Sequence, residues 1–188
     1  MYGNVVTNKQ LKDLMESGCL SIDPFEQNNL KAAAYTLTPG RVLRRGDDGE
    51  YEVVHTFSNK KNSFKISADE YIVIEPKQIV RIKTSGLIGT FITASTNIEN
   101  GLLVVAGQID SNYGVNNERL RFGVRNLLSL PNTITAATRL VHLQLVDMRG
   151  SAAEPVRLSR DAQAVWNDRR ATENWDEAHG PNYSAAMD

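Results

Sequence analysis

The sequence predicts an all-β protein with a few short helices, and three observations carry that expectation. Short runs rich in β-branched residues dominate the middle of the chain: Tyr71-Ile-Val-Ile-Glu-Pro76, Ile79-Val-Arg-Ile-Lys83 and Leu87-Ile-Gly-Thr-Phe-Ile-Thr93. The segments between them are short, and helical periodicity is absent from them. Glu118 to Asn126 alternates strictly, as a strand with one solvated face does. Together these point to a sandwich or barrel.

Taken in order, the chain opens with Thr7 or Asn8 as an N-cap before Leu11, Leu14 and Met15, with Gly18 beyond them. That pattern is a short amphipathic helix ending at Gly18. Cys19 to Phe25 alternates and breaks at Pro24, which reads as a short strand. Val42-Leu43 and Tyr51-Glu-Val-Val54 flank the turn Gly46-Asp-Asp-Gly49, so this region is a hairpin with an exposed tip. Arg41, Arg44 and Arg45 cluster there. They read first as a solvated charged face, with phosphate contact as the alternative.

The stretch Gly101 to Gly114, with apolar residues between glycines and closing on Ile109, Asp110 and Tyr113, reads as a tight β-hairpin. Glycines at 101, 107 and 114 let it hold a carboxylate and an aromatic ring on a rigid loop. The plainer alternative makes Asp110 an Asx-turn at a strand end and Tyr113 a half-buried sheet residue. Leu127 to Asn132 is a turn and Thr133 to Leu145 a closing strand, where His142 on an apolar strand reads as a core or interface histidine.

Composition sets limits on function. A chain of 188 residues that is 41% hydrophobic suffices for one substantial core. A net charge of −1 and a pI near 6.3 give no global attraction to nucleic acid or to an anionic membrane, so neither is an expected partner. Cys19 is the single cysteine, which rules out an intramolecular disulfide and a zinc site built on several thiolates. No metal site is expected in the chain itself. With no apolar leader and no membrane-length run, the expectation is a soluble, cytoplasmic protein.

The central stretch, Gly-Leu-Leu-Val-Val-Ala-Gly-Gln-Ile-Asp-x-x-Tyr-Gly, resembles the uridine-binding motif of the dUTPase and dCTP deaminase superfamily. The opening helix, the segment Leu20-Ser-Ile-Asp-Pro24 and the piece His179-Gly180-Pro181 with Ser184 beyond it resemble the deaminase branch. The resemblance implies a distorted, jelly-roll-like β-barrel of the dUTPase-like type over residues 1–150, forming a homotrimer with sites between subunits. It implies a tail over residues 151–188, partly helical, that packs on the barrel or on a neighbouring subunit. It places Asp110 as the carboxylate that activates water and Tyr113 under the deoxyribose. Ser95, Thr96, Gly107 and Ile109 complete the nucleotide contacts, and Mg²⁺ arrives through the triphosphate.

The sequence also departs from the family pattern. Thr36 stands at an aspartate, Ala94 and Glu99 at two arginines, Gly123 at the deaminase glutamate, Ala137 at a glycine and His142 at a glutamine. Two readings follow. One is a hydrolase that deaminates a pyrimidine deoxynucleoside triphosphate or splits pyrophosphate from it. The other is a catalytically degenerate relative with a nucleotide-binding, regulatory or structural role.

Overall fold

The computed structural model describes residues 4–58, 62–115 and 118–149, all of which belong to one compact unit, Met1–Ser151. The tail expected over residues 151–188, with its short helix and the Gly180-Pro181 segment, lies outside the described residues.

The N-terminal elements form as their local chemistry dictates. After β1 (Asn4–Val5) comes α1 (Asn8–Glu16), which Thr7 starts with a capping box: Gln10 N donates to its hydroxyl, and the Gln10 side chain accepts from Thr7 N. Leu11 and Leu14 are its buried positions, and Gly18 follows the helix in the left-handed region at φ 75°. β2 (Leu20–Asp23) buries Leu20 and Ile22. A single 3₁₀ turn (Gln27–Asn29) leads to β3 (Tyr35–Leu37), β4 (Pro39–Arg45) and β5 (Tyr51–Thr56). β4 and β5 are the expected hairpin around Gly46 to Gly49.

Then come β6 (Ser63–Ile66), β7 (Tyr71–Pro76), β8 (Ile79–Ile82) and β9 (Leu87–Thr93). A helical turn, α2 (Ser95–Glu99), precedes β10 (Leu102–Val105) and β11 (Gln108–Ile109). The last strands among the described residues are β12 (Phe122–Asn126), β13 (Asn132–Thr135) and β14 (Val141–Asp147).

Two five-stranded sheets dominate. Sheet I runs β1-β14-β9-β11, with β3 also paired to β14; sheet II runs β10-β12-β7-β4-β5. β2-β8 and β6-β13 are separate two-stranded ladders. One core joins the sheets: Tyr35, Leu37, Leu87, Ile109, Val141, Leu143 and Leu145 from sheet I meet Val42, Ile72, Ile74, Val104, Phe122 and Val124 from sheet II. Phe91 stands edge-on to Phe122 across it, with centroids 5.0 Å apart. The all-β expectation holds, whereas among the described residues the sheets do not close into a barrel.

Two expected elements differ. The closing strand expected over 133–145 is split into β13 and β14, because Thr135 and Thr138 fold a side-chain-bonded turn between them. Thr135 N donates to Thr138 Oγ1 at 2.9 Å, and Ala137 N to Thr135 Oγ1 at 3.2 Å. The hairpin expected over 101–114 is likewise not a paired hairpin. β10 joins β12 in sheet II and β11 joins β9 in sheet I, so this stretch is a crossing between sheets. In a tight hairpin the two halves would pair with each other; here each half pairs instead with a strand of a different sheet, so its backbone groups are still met.

Candidate functional site

Asp110 and Tyr113 sit on a turn that the backbone holds. Tyr113 N donates to the Asp110 carbonyl at 3.2 Å, and the Tyr113 carbonyl accepts from Ile82 N at 2.9 Å. Asn112 takes φ 68° and Gly114 φ 79°. At Gly114 a Cβ would lie 2.4 Å from the Val80 carbonyl oxygen, so no residue with a side chain fits there without displacing β8. Ser111 ties the same turn to β9: its hydroxyl accepts from Gly86 N at 3.0 Å and donates to the Leu87 carbonyl at 3.2 Å.

On this frame Asp110 is exposed and accepts a hydrogen bond from Gln108 Nε2 at 2.9 Å. Tyr113 is half-buried against the core. Burial pushes its phenol above the ordinary pKa, Glu118 adds to the rise, and Arg121 opposes it. The turn therefore presents an open carboxylate beside a fixed aromatic face. Gly107 is exposed and open, and its carbonyl accepts from Phe91 N at 3.4 Å. Ile109 turns into the core, where Gly89 makes room for it: a Cβ on Gly89 would come within 2.7 Å of Ile109 Cγ1. The Ile109 side chain is therefore packed in the core and not presented to a ligand.

Ser95 and Thr96 are exposed on α2. That turn is anchored by a residue the sequence reading missed. Asn97, 2% exposed, donates from Nδ2 to the Arg139 carbonyl at 2.9 Å and to the Leu140 carbonyl at 2.8 Å. Ala94 is buried at the start of the turn, while Ile98 and Glu99 are exposed on it.

The register of β9 fixes where these two groups stand. Ser111 is bonded at Leu87, the first residue of β9, and Ser95 follows Thr93, its last. The intervening strand is about 20 Å long at ~3.3 Å per residue. One chain thus carries Ser95 and Thr96 at one end of β9 and Asp110 and Tyr113 at the other, and does not bring them together.

Three of the positions that depart from the family pattern, Gly123, Thr36 and His142, have defined neighbours. Gly123 lies on the face of sheet II turned from the core, and Tyr71 covers it: a Cβ there would be 2.4 Å from the Tyr71 hydroxyl and 2.8 Å from Cε2. The place of a glutamate side chain is thus filled by a phenol. Thr36 and His142 are paired in register, and Thr36 Oγ1 is 3.1 Å from His142 Nδ1. Burial, with Lys31 and Arg139 adding to it, pushes the His142 pKa below its ordinary value.

Two arginines of the cluster pair with carboxylates and the third with a backbone carbonyl. Arg44 Nε donates to Glu70 at 2.9 Å, Arg41 Nε to Glu75 at 2.9 Å, and Arg45 Nε to the Gly49 carbonyl at 3.0 Å. Glu75 is buried and also receives Arg121. A carboxylate inside the apolar run Tyr71 to Pro76 was the signal in the sequence that such a pairing must exist. Asn126, wholly buried, donates to the Ser67 carbonyl at 2.9 Å and the Leu130 carbonyl at 2.8 Å, and accepts from Leu128 N at 3.1 Å.

No protein-family model matches the sequence, and neither does any curated protein sequence. Solved structures do match the fold. The 2'-deoxycytidine 5'-triphosphate deaminase of Agrobacterium tumefaciens matches over 78% of this chain and 49% of its own, with a TM-score of 0.61 at 8% identity. This chain thus spans about half the length of that deaminase. The dUTPase of phage phi11 of S. aureus, whose structure shows the coordination of a structural Mg(II) ion, matches over 74% of this chain and 97% of its own (TM-score 0.48, 14% identity). The EIAV dUTPase matches over 62% and 92% (TM-score 0.41, 13% identity).

Proposed function

We propose that this chain, which has the dCTP deaminase/dUTPase-like fold, binds a pyrimidine deoxynucleoside triphosphate and hydrolyses it to the monophosphate and pyrophosphate. The observation that carries the reading is the turn from Asp110 to Tyr113, which holds an exposed carboxylate and a half-buried ring on a frame set by Gly114, Ser111 and Ile82. The deoxyribose stacks on Tyr113. Asp110 takes a proton from water, the water oxygen bonds to the α-phosphorus, and the bridging P–O bond breaks with its electron pair leaving on pyrophosphate. Mg²⁺ enters with the triphosphate as part of the substrate. Gly107 and Ile109 offer backbone groups to the base.

Ser95 and Thr96 supply phosphate contacts from a different copy of the chain. Their separation from Asp110 along β9 supports a site shared between subunits, and a homotrimer is the assembly that the family resemblance offers. Hydrolysis is favoured over deamination because glycine at position 123 can neither take up a proton nor orient water. A second reading, a binding protein without turnover, draws on Glu99, an exposed carboxylate on the turn expected to face phosphate.

The test is incubation with each deoxynucleoside triphosphate and Mg²⁺, comparing wild type with Asp110→Asn. The reading expects dUMP and pyrophosphate from dUTP, a loss of ~10²-fold or more in turnover on substitution, and little change in melting temperature. Wild-type turnover that survives the substitution removes Asp110 from the reaction. Binding without turnover in the wild type selects the second reading.

A further inference from the structure

The loop Leu127-Leu128-Ser129-Leu130 holds three leucines in the open, 59%, 45% and 70% exposed. Leucines gathered at that exposure are a patch rather than scattered singles. The loop is also held still. Buried Asn126 donates to the Leu130 carbonyl at 2.8 Å and accepts from Leu128 N at 3.1 Å, while Leu127 N donates to the Gly101 carbonyl at 2.8 Å and Asn132 Nδ2 to the Asn100 carbonyl at 2.6 Å. These bonds lay the leucines against the end of α2, where Ile98 is 67% exposed and extends the patch. Glu99, next to it, is exposed and among the described residues has no hydrogen-bond or ion-pair partner for its carboxylate. Within one chain this surface has neither cover nor countercharge.

The Asp110 turn carries the opposite charge. Gly114 is pressed on β8, so that its Cβ would lie 3.0 Å from Arg81 Cγ, and Ile82 N donates to the Tyr113 carbonyl. Ile82 points into the core, which leaves Arg81 and Lys83 on the other face of the strand, one on each side of it beside the turn. Lys83 is exposed and Arg81 half-buried, and among the described residues neither side chain has a hydrogen-bond or ion-pair partner. Val115 follows the turn and is 54% exposed.

We propose that the leucine patch and Glu99 of one copy of this chain dock beside the Asp110 turn of a second copy, with Glu99 against Arg81 and Lys83 and the leucines against Val115. Apolar burial holds the contact, and the charges fix its register. The two patches differ, so the contact is head-to-tail and forms a ring when its rotation closes. The proposal rests on the nucleotide reading above and deepens it. Ser95 and Thr96 share α2 with Glu99, so the docking that gives Glu99 its countercharge carries their hydroxyls to the other copy's Asp110 and Tyr113. Glu99 then serves assembly rather than repelling phosphate.

The experiment follows assembly by sedimentation over a range of protein concentrations, with the circular dichroism spectrum as the check on folding and dUTP binding measured on the same samples. It compares wild type with Glu99→Arg, with Arg81→Glu plus Lys83→Glu, with all three changes combined, and with Leu130→Ser. Wild type is expected to assemble at micromolar concentration. Each charge reversal alone should weaken assembly about tenfold or more, because it sets like charges against each other, and the loss should shrink as salt is raised. The combined variant should regain most of the loss, and Leu130→Ser should lose assembly with its spectrum unchanged. A monomeric wild type, or assembly that withstands the reversals or Leu130→Ser, overturns the docking. Reversal of Arg81 and Lys83 that weakens dUTP binding but not assembly overturns it as well and makes those cations ligand groups. A monomer that binds dUTP leaves the nucleotide reading standing without the docking. A wild type that assembles and responds as described yet binds no dUTP keeps the docking and overturns the nucleotide reading.

Discussion

Two turns flank the crossing between the sheets, and they are held in different ways. The turn from Asp110 to Gly114 is fixed largely by backbone, with a left-handed glycine pressed on the Val80 carbonyl and a carbonyl at Tyr113 that completes the edge at Ile82, and the Ser111 hydroxyl adds bonds to Gly86 and Leu87. The α2 turn is fixed by one side chain, Asn97, reaching the carbonyls of Arg139 and Leu140. In the first, the candidate side chains, Asp110 and Tyr113, are aimed by geometry they do not themselves create. In the second, the anchor consumes the buried position and leaves Ser95, Thr96 and Glu99 without structural duty on an exposed surface. A surface of that kind can change its charge at little cost to stability.

The largest expected effect breaks the first turn. Gly114→Ala combines a left-handed φ with a Cβ 2.4 Å from a carbonyl oxygen, and should lower stability on the order of 3 kcal/mol or more in denaturant titration. Gly107→Ala, where nothing lies within 4 Å of the added carbon, should stay near wild type. Equal losses at the two positions would mean that the turn is not held as described.

The second turn should respond less. Asn97→Ala leaves two carbonyls without their donor and should cost about 2 kcal/mol, read from the melting curve. It should also weaken dUTP binding while leaving deoxyuridine binding unchanged, since only the phosphate contacts move.

The smallest effect lies outside both turns, at His142. Its pKa is lowered in the folded state, so the unfolded chain binds more protons and stability falls as pH drops below about 6.5, the unperturbed value. Glu70 and Asp147 have lowered carboxyl pKa values as well, but their contribution is lost only as pH falls below about 4.5 and 3.8, respectively. His142→Gln should flatten the stability curve around pH 6 and leave the acid limb in place. An unchanged slope near pH 6 would remove His142 as its source.

The strands of both sheets were legible because β-branched runs and alternation report directly which residues face a core, as Phe122, Val124, Leu143 and Leu145 do. The helix at Asn8 was legible through its cap. The crossing at Ala106 was not, since glycines between apolar pairs suit a hairpin and a sheet change equally well, and only the partners β9 and β12 decide. Asp110 and Tyr113 were legible as a motif, but their distance from Ser95 was not, because it depends on the register of β9. The Arg41–Glu75–Arg121 triad joins residues far apart in the chain, and only Glu75 betrayed it, as a charge within an apolar strand.

The central claim is that the site takes Ser95 from one copy and the Asp110 turn from another. Mixing Ser95→Ala with Asp110→Asn, under conditions where subunits exchange, tests it most directly. In a cyclic assembly with head-to-tail interfaces a random equal mixture rebuilds about a quarter of the sites. The account predicts dUTP turnover near that fraction of wild type from two variants that are each impaired alone. A mixture no more active than the mean of its components would contradict the shared site.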